Sequence, residues 1–254
     1  MPEDEPRPRA VAIVGSRRCT KYGEQVAYDA AYRLAKLGII IISGLAYGID
    51  SCAHRGCLDA GGITIAVLGT PIDHIHPRSN ESLAERILER GAIISELPSG
   101  ALVHAYNFSY RNRIVAGLAD TTLIVEAARK SGTMSTANYT NDQNKAIYAV
   151  PGDIFHPMSV GCNELIKDGA MVYTEPNDLM YELHIREKVV KAREYLRCPP
   201  EEQLIICAID RGKTVDEEIL AETKLSPAEY ARSITMLQLK GLIKSVGNGE
   251  WALV

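Results

Sequence analysis

From residue 10 to about residue 180, short unbroken apolar runs alternate with segments of helical period. Ala10 to Val14, Ile39 to Ile42, Thr64 to Leu68, Ala92 to Ser95 and Leu123 to Glu126 read as strands covered on both faces, because a strand between two helical layers shows continuous rather than alternating hydrophobicity. Tyr22 to Leu37 places Val26, Ala27, Ala30, Ala31, Leu34 and Leu37 along one stripe, which predicts a helix packed on a sheet. Gly38 stops it. Further helices are predicted over Asp50 to Ala60, Ser79 to Arg90 and Tyr106 to Leu118. The resulting βαβαβ order predicts an α/β fold: a Rossmann-like, doubly wound and mostly parallel sheet.

The stretch from Leu123 to Gly152 reads as strand, loop, helix, strand and Pro-Gly turn. Beyond it, Ser159 to Asn163 reads as a small-residue loop leading to a short helix, Ala170 to Tyr173 as an edge strand, and Glu175 to Leu183 as the closing segment. Residues 1–184 are taken as one domain. Residues 185–200 mix charges and end in Pro199-Pro200, which predicts a linker. Residues 201–254 predict helices over Glu202 to Asp210, Val215 to Thr223 and Ser226 to Lys240, then two strands across Asn248-Gly249, the order of a winged helix-turn-helix. From Pro200 onward six Lys and Arg face nine Asp and Glu. Duplex DNA repels a module of net −3, so contact with protein or with another copy of the chain fits it better.

Composition narrows the picture. Across 254 residues, 46% hydrophobic and 24% charged content is that of a globular protein. No apolar run reaches the roughly 18 residues of a membrane span, and the polar, Pro-rich start lacks the pattern of a secretory leader. Six scattered cysteines without a C-x-x-C pair fit a reducing cytoplasm. With a net charge of −4, any nucleic-acid site must be a local patch.

Such a patch is predicted at the strand ends. Ligands of open α/β sheets sit beyond the carboxyl ends of the strands, where this chain places Ser16, Arg17 and Arg18, then Ser43, Gly44 and Gly48, and finally Arg129, Lys130, Ser131 and Gly132. Small residues at a helix start let an anion approach backbone N–H groups. Arg17 and Arg18 belong to an acid-free segment from Arg7 to Lys21, which also reads as an ordinary solvated surface. From Leu97 to Ala119 there is again no acid, and Phe108, Tyr110, Arg111, Asn112 and Arg113 interleave aromatic with basic groups. That suits base stacking and phosphate binding; equally, Phe108 and Ile114 could face the core while the arginines cap neighbouring carbonyls. His74 and His76 lack the further ligands a metal site needs. Gly15 stands without the later glycines of a redox dinucleotide fingerprint.

Together, Val14-Gly15-Ser16-Arg17, Ser43-Gly44-Leu45-Ala46, Gly48-Ile49-Asp50 with His54, Arg111-Asn112-Arg113-Ile114, Glu126, Ser131-Gly132 and Pro151-Gly152 resemble, in order and spacing, the DprA/Smf family of DNA-processing proteins of bacterial transformation. The resemblance covers residues 10 to 180, and the acidic C-terminal module is similar to the one the family appends. It implies a homodimer, not an enzyme, that binds single-stranded DNA, protects it and helps load the RecA recombinase, with no cofactor. Carried over by position, Ser16, Arg17, Ser43, Gly44, Gly48, Arg111 and Arg113 would line the pocket, Lys130, Ser131 and Gly132 would complete it, and Asp50, His54 and Glu126 would support it. Pro71 and His76 depart from the family's usual glycine and tyrosine, which bears on the pocket rim. The small domain that often precedes the first strand is expected to be naturally absent or removed. Two other readings stay open: a nucleotide-cleaving enzyme similar to the cytokinin phosphoribohydrolases, for which Glu126 and Ser131-Gly132-Thr133 would matter, and an adaptor working through the winged helix alone.

Overall fold

The computed structural model describes residues 8–183, 198–247 and 249–253. The chain divides into two units, one ending at His184 and the other beginning at Ile185. In the first, seven parallel strands, β1 (Ala10–Val14), β2 (Ile40–Ser43), β3 (Thr64–Leu68), β4 (Ala92–Ser95), β5 (Thr121–Ile124), β6 (Ile147–Ala149) and β7 (Met171–Val172), lie in the order β4-β3-β2-β1-β5-β6-β7. The chain winds outward from β1 to β4 and then returns to place β5 beside β1, pairing Val11 with Thr121 and Val14 with Ile124. That return creates the switch point at which such sheets open a crevice.

Apolar stripes decide which face each helix covers. On one face, α4 (Ala105–Leu118), α5 (Thr133–Asp142) and α6 (Val160–Lys167) contribute Val115, Ala137 and Cys162 to a core with Ala12, Val14, Ile42, Val67 and Ile124. The other helices are α1 (Lys21–Ala35), α2 (Ile49–Asp59), α3 (Glu81–Leu88) and α7 (Pro176–Glu182). Leu58 of α2 and Leu83 and Ile87 of α3 close a second cluster with Leu45, Ala66 and Leu68. Burial of these side chains is worth roughly 1.5–3 kcal/mol each before chain entropy is charged against it.

Three elements differ from expectation. β5 starts at Thr121, ahead of the apolar run, because buried threonines can sit in a strand when their hydroxyls are satisfied: Thr121 Oγ1 donates to the Ala146 carbonyl at 2.8 Å and Thr122 Oγ1 meets Thr140 Oγ1 at 2.8 Å. The segment from Ser159 is not a loop: Ser159 is the N-cap residue and α6 runs from Val160. Finally, the predicted helix from Ser79 begins as a 3₁₀ turn at Arg78–Asn80, and Asn80 does not cap α3. Its buried Nδ2 instead donates to the Leu45 carbonyl and to Ser51 Oγ, both at 2.9 Å.

In the second unit, α8 (Pro200–Asp210), α9 (Asp216–Thr223) and α10 (Pro227–Leu239) precede an antiparallel pair, β8 (Ile243–Gly247) and β9 (Glu250–Leu253). α8 starts two residues earlier than predicted, with Pro200 in its first turn, where a missing N–H costs nothing. Ser226 and Glu229 form a capping box at the start of α10. Most of the predicted linker, residues 185–197, together with His184 and Asn248 of the turn, lies outside the described residues.

Candidate nucleic-acid interface

At the carboxyl ends of β1, β2 and β5 the structure opens a cleft of about 570 Å³. Ser16, Arg17, Arg18, Gly44, Asp50, Arg111, Asn112, Lys130, Ser131 and Gly132 line it, together with Phe108, Ser109 and Met158. Arg17, Arg18 and Lys130 are exposed, whereas Arg111 is 6% exposed. Asp50 is the one acid among the described lining residues.

Arg111 and Asp50 meet through one glycine. Arg111 Nη1 donates to the Gly44 carbonyl at 2.8 Å, while Asp50 Oδ2 accepts from the Gly44 amide at 3.1 Å and from the Ala46 amide at 3.4 Å. A Cβ at position 44 would lie within 2.3 to 2.6 Å of the guanidinium, so a side chain there would displace Arg111. Burial raises the Asp50 carboxyl above its ordinary range against the pull of Arg111 and the two amides. Burial also lowers Arg111 to about 10, against Asp50; the guanidinium therefore remains charged at neutral pH. Ser51 Oγ donates to the Ala46 carbonyl at 2.5 Å, and Asn80 holds the Leu45 carbonyl. The loop from Gly44 to Gly48 is thus fixed from three sides.

The remaining predicted residues separate into lining and support. Ser43 and Gly48 do not line the cleft. Ser43 Oγ donates to the Ile13 carbonyl at 2.7 Å, tying β2 to β1. Gly48 has φ +73° and lies so close to the Ser16 carbonyl that a Cβ would sit 2.4 Å from it, which permits the Ile49 amide to donate to that carbonyl at 3.3 Å. Arg113 is also directed elsewhere: it pairs with Glu96 and lies over the Tyr110 ring at 4.4 Å. The periodicity of α4 explains this, since Ala105, Phe108, Ser109 and Asn112 share one face and Tyr106, Tyr110 and Arg113 the next. Arg129 pairs with Glu164 at 2.5 Å.

His54 and Glu126 stand behind the cleft rather than in it. His54 is fully buried; Thr64 Oγ1 donates to the Ile41 carbonyl and so accepts from His54 Nδ1 at 2.7 Å. Burial, then Arg111, depresses His54 to about 3. Glu126 accepts from the Thr20 amide at 2.8 Å and from Thr20 Oγ1 at 2.6 Å, while Thr20 caps α1 by accepting from the Gly23 amide.

Lys130, Ser131 and Gly132 lie beside the first turn of α5, as expected, but with a difference in donors. Ser131 Oγ accepts from the Thr133 amide at 3.2 Å, and the next two amides bond back to the Ser131 and Gly132 carbonyls. Asn112 Nδ2 donates to the Gly132 carbonyl at 3.2 Å and to Ser135 Oγ at 2.9 Å, clamping the turn to α4. The amides of Thr133, Met134 and Ser135 are therefore engaged, and the exposed cations of the cleft are the side chains of Arg17, Arg18 and Lys130. Phe108 faces the cleft, with Arg17 over its ring at 5.3 Å, and Ile114 packs on the core. Ile114 thus faces the core, Phe108 lines the cleft, and Arg111 caps the Gly44 carbonyl. Met158, whose sulfur accepts from Ser16 Oγ at 3.3 Å, carried no sequence signal. His76 lies against Phe108 at 5.4 Å, beside Pro77 and Gly69 on the rim. Among the described residues no group of three metal-ligating side chains gathers, and no helix is long and apolar enough to cross a membrane.

The family model described as DNA recombination-mediator protein A matches residues 3–184. Protein Smf of Escherichia coli is 37% identical over 248 residues, which cover 94% of this chain and 66% of Smf. The chain thus spans just under two thirds of that relative's length. Among solved structures, DNA processing protein A of Streptococcus pneumoniae is similar with a TM-score of 0.64 and 35% identity, over 69% of this chain and 62% of that one. DNA processing protein A of Helicobacter pylori, solved for its single-stranded DNA binding mode, gives 0.64 and 33% over 69% of this chain and 80% of its own.

Proposed function

This chain belongs to the DNA recombination-mediator protein A family, and from that premise we propose that its cleft binds single-stranded DNA without cleaving it. The observation that carries the reading is the pairing of exposed Arg17 and Lys130 in one hollow with Phe108 beneath Arg17. Cations hold phosphates and an aromatic face holds a base, the combination used for unpaired strands regardless of sequence. A duplex keeps its bases stacked inside and offers Phe108 nothing. The proposal extends to protection of the strand during transformation and to a homodimer that passes it to RecA; the resemblance supports those two steps.

A nucleotide-cleaving role would call on Glu126, but both its carboxylate oxygens accept from Thr20 at the start of α1, and it does not line the cleft. Mobility-shift titration with single- and double-stranded oligomers of equal length, beside a nucleotide-hydrolysis assay, tests the reading. Preference for the single strand with no turnover is the expected result; equal affinity for duplex, or turnover, would overturn it.

A further inference from the structure

A second cleft, of about 330 Å³, lies across α4 from the first, between the ends of β3 and β4 and the next face of the helix. Tyr106, Tyr110, Glu96, Arg113 and Gly69 line it, and Arg111 lines both clefts. Its volume is at the lower end of that of small-molecule sites. Tyr106 is 66% and Tyr110 53% exposed, an unusual expenditure of aromatic surface on water. Neither ring is loose. His104 stacks on Tyr106 at 5.4 Å with 8° between the planes, and Arg113, anchored by Glu96, covers Tyr110 at 4.4 Å. Rings held in place by a neighbour on one face bind a third flat group with little further loss of side-chain freedom.

We propose that this second cleft holds an unstacked base of the same strand whose phosphates occupy the first, with Tyr106 and Tyr110 as its stacking platform. The inference rests on the single-strand reading of the first cleft. It assigns the two clefts different work. The first has exposed cations beside Phe108 and takes phosphates with a base. In the second, Arg113 is paired with Glu96 and the buried Arg111 is held on the Gly44 carbonyl, so the exposed groups left to a ligand are the aromatic faces. A helix is about 10 Å across, so a strand leaving the first cleft reaches the second within a few nucleotides.

The test is fluorescence-anisotropy titration of labelled oligothymidylates against the full chain, comparing wild type, the double variant Tyr106→Ala/Tyr110→Ala and the double variant Tyr106→Phe/Tyr110→Phe. Loss of one stacked base should weaken the alanine variant roughly 5- to 150-fold, while the slope of log affinity against log salt stays that of the wild type and the phenylalanine variant binds normally. A single abasic site walked along the oligomer should weaken the wild type at a position to which the alanine variant is indifferent. Alanine-variant affinity within twofold of wild type, a flattened salt slope, or persistent abasic sensitivity would overturn the inference and leave the first cleft's role intact. A wild type that binds no oligomer would overturn both.

Discussion

Replacing Arg111 by Met removes a buried charge from a site where two partners depend on it. The Gly44 carbonyl loses its 2.8 Å donor, and Asp50, 6% exposed, loses the positive charge that opposes its desolvation. Removing one member of a buried pair costs about 3–5 kcal/mol. Because Gly44 stands between the two groups, the lower end applies, about 3 kcal/mol. At about 2–4 °C per kcal/mol for a unit of this size, the first unfolding transition should drop by about 6–12 °C. Asp50→Asn in the same chain should restore most of that loss, since the uncompensated carboxylate is gone. The pH dependence has a definite sign. Burial raises Asp50 in the folded state, so folded chains take the proton first, and the penalty for its charge fades as pH falls towards the ordinary carboxylate range. Acidification should therefore narrow the gap between Arg111→Met and wild type. Thermal unfolding followed by circular dichroism reads all three. A single variant that melts with the wild type, or a double variant no better than the single, would refute the coupling of Arg111 to Asp50.

Two further outcomes follow from side chains placed outside the first cleft. Arg113→Ala should leave the salt dependence of oligomer binding unchanged, since Arg113 already pairs with Glu96; a flattening by one phosphate contact would put it back among the phosphate ligands. His54 is held neutral down to about pH 3 by burial, whereas in the unfolded chain it takes a proton near its ordinary value of about 6.5. Its contribution to stability is complete above that value and is lost as pH falls towards 3, at up to about 1.4 kcal/mol per pH unit. Denaturant unfolding of His54→Gln across that range should show a shallower loss than wild type, and an identical profile would remove His54 from the acid response.

Most strands were legible because full burial writes itself as an unbroken apolar run; Thr64 to Leu68 and Ala92 to Ser95 match the observed bounds. Where a strand buries hydroxyls instead, as at Thr121 and Thr122, hydrophobicity is silent and only the partners Ala146 and Thr140 explain the placement. The cleft was legible to the extent that it depends on strand ends: Arg17, Arg18, Gly44, Lys130 and Gly132 follow strands whose positions the apolar runs reveal. Arg111 and Arg113 show what is lost. Two arginines two residues apart look alike in sequence, yet helical spacing sends one under Gly44 and the other to Glu96. Asn80, a helix cap by its position, proved to brace the loop after β2 from 34 to 35 residues away. A contact of that range leaves no local trace.

The central claim is that exposed cations in the first cleft neutralise phosphates of an unpaired strand. Its most direct test is the slope of log affinity against log salt for an oligothymidylate, measured for wild type, Arg17→Ala and Lys130→Ala. The expected result is a slope of about −0.7 per neutralised phosphate for the wild type and a slope shallower by about one such contact in each variant. Slopes and affinities of both variants indistinguishable from wild type would contradict it.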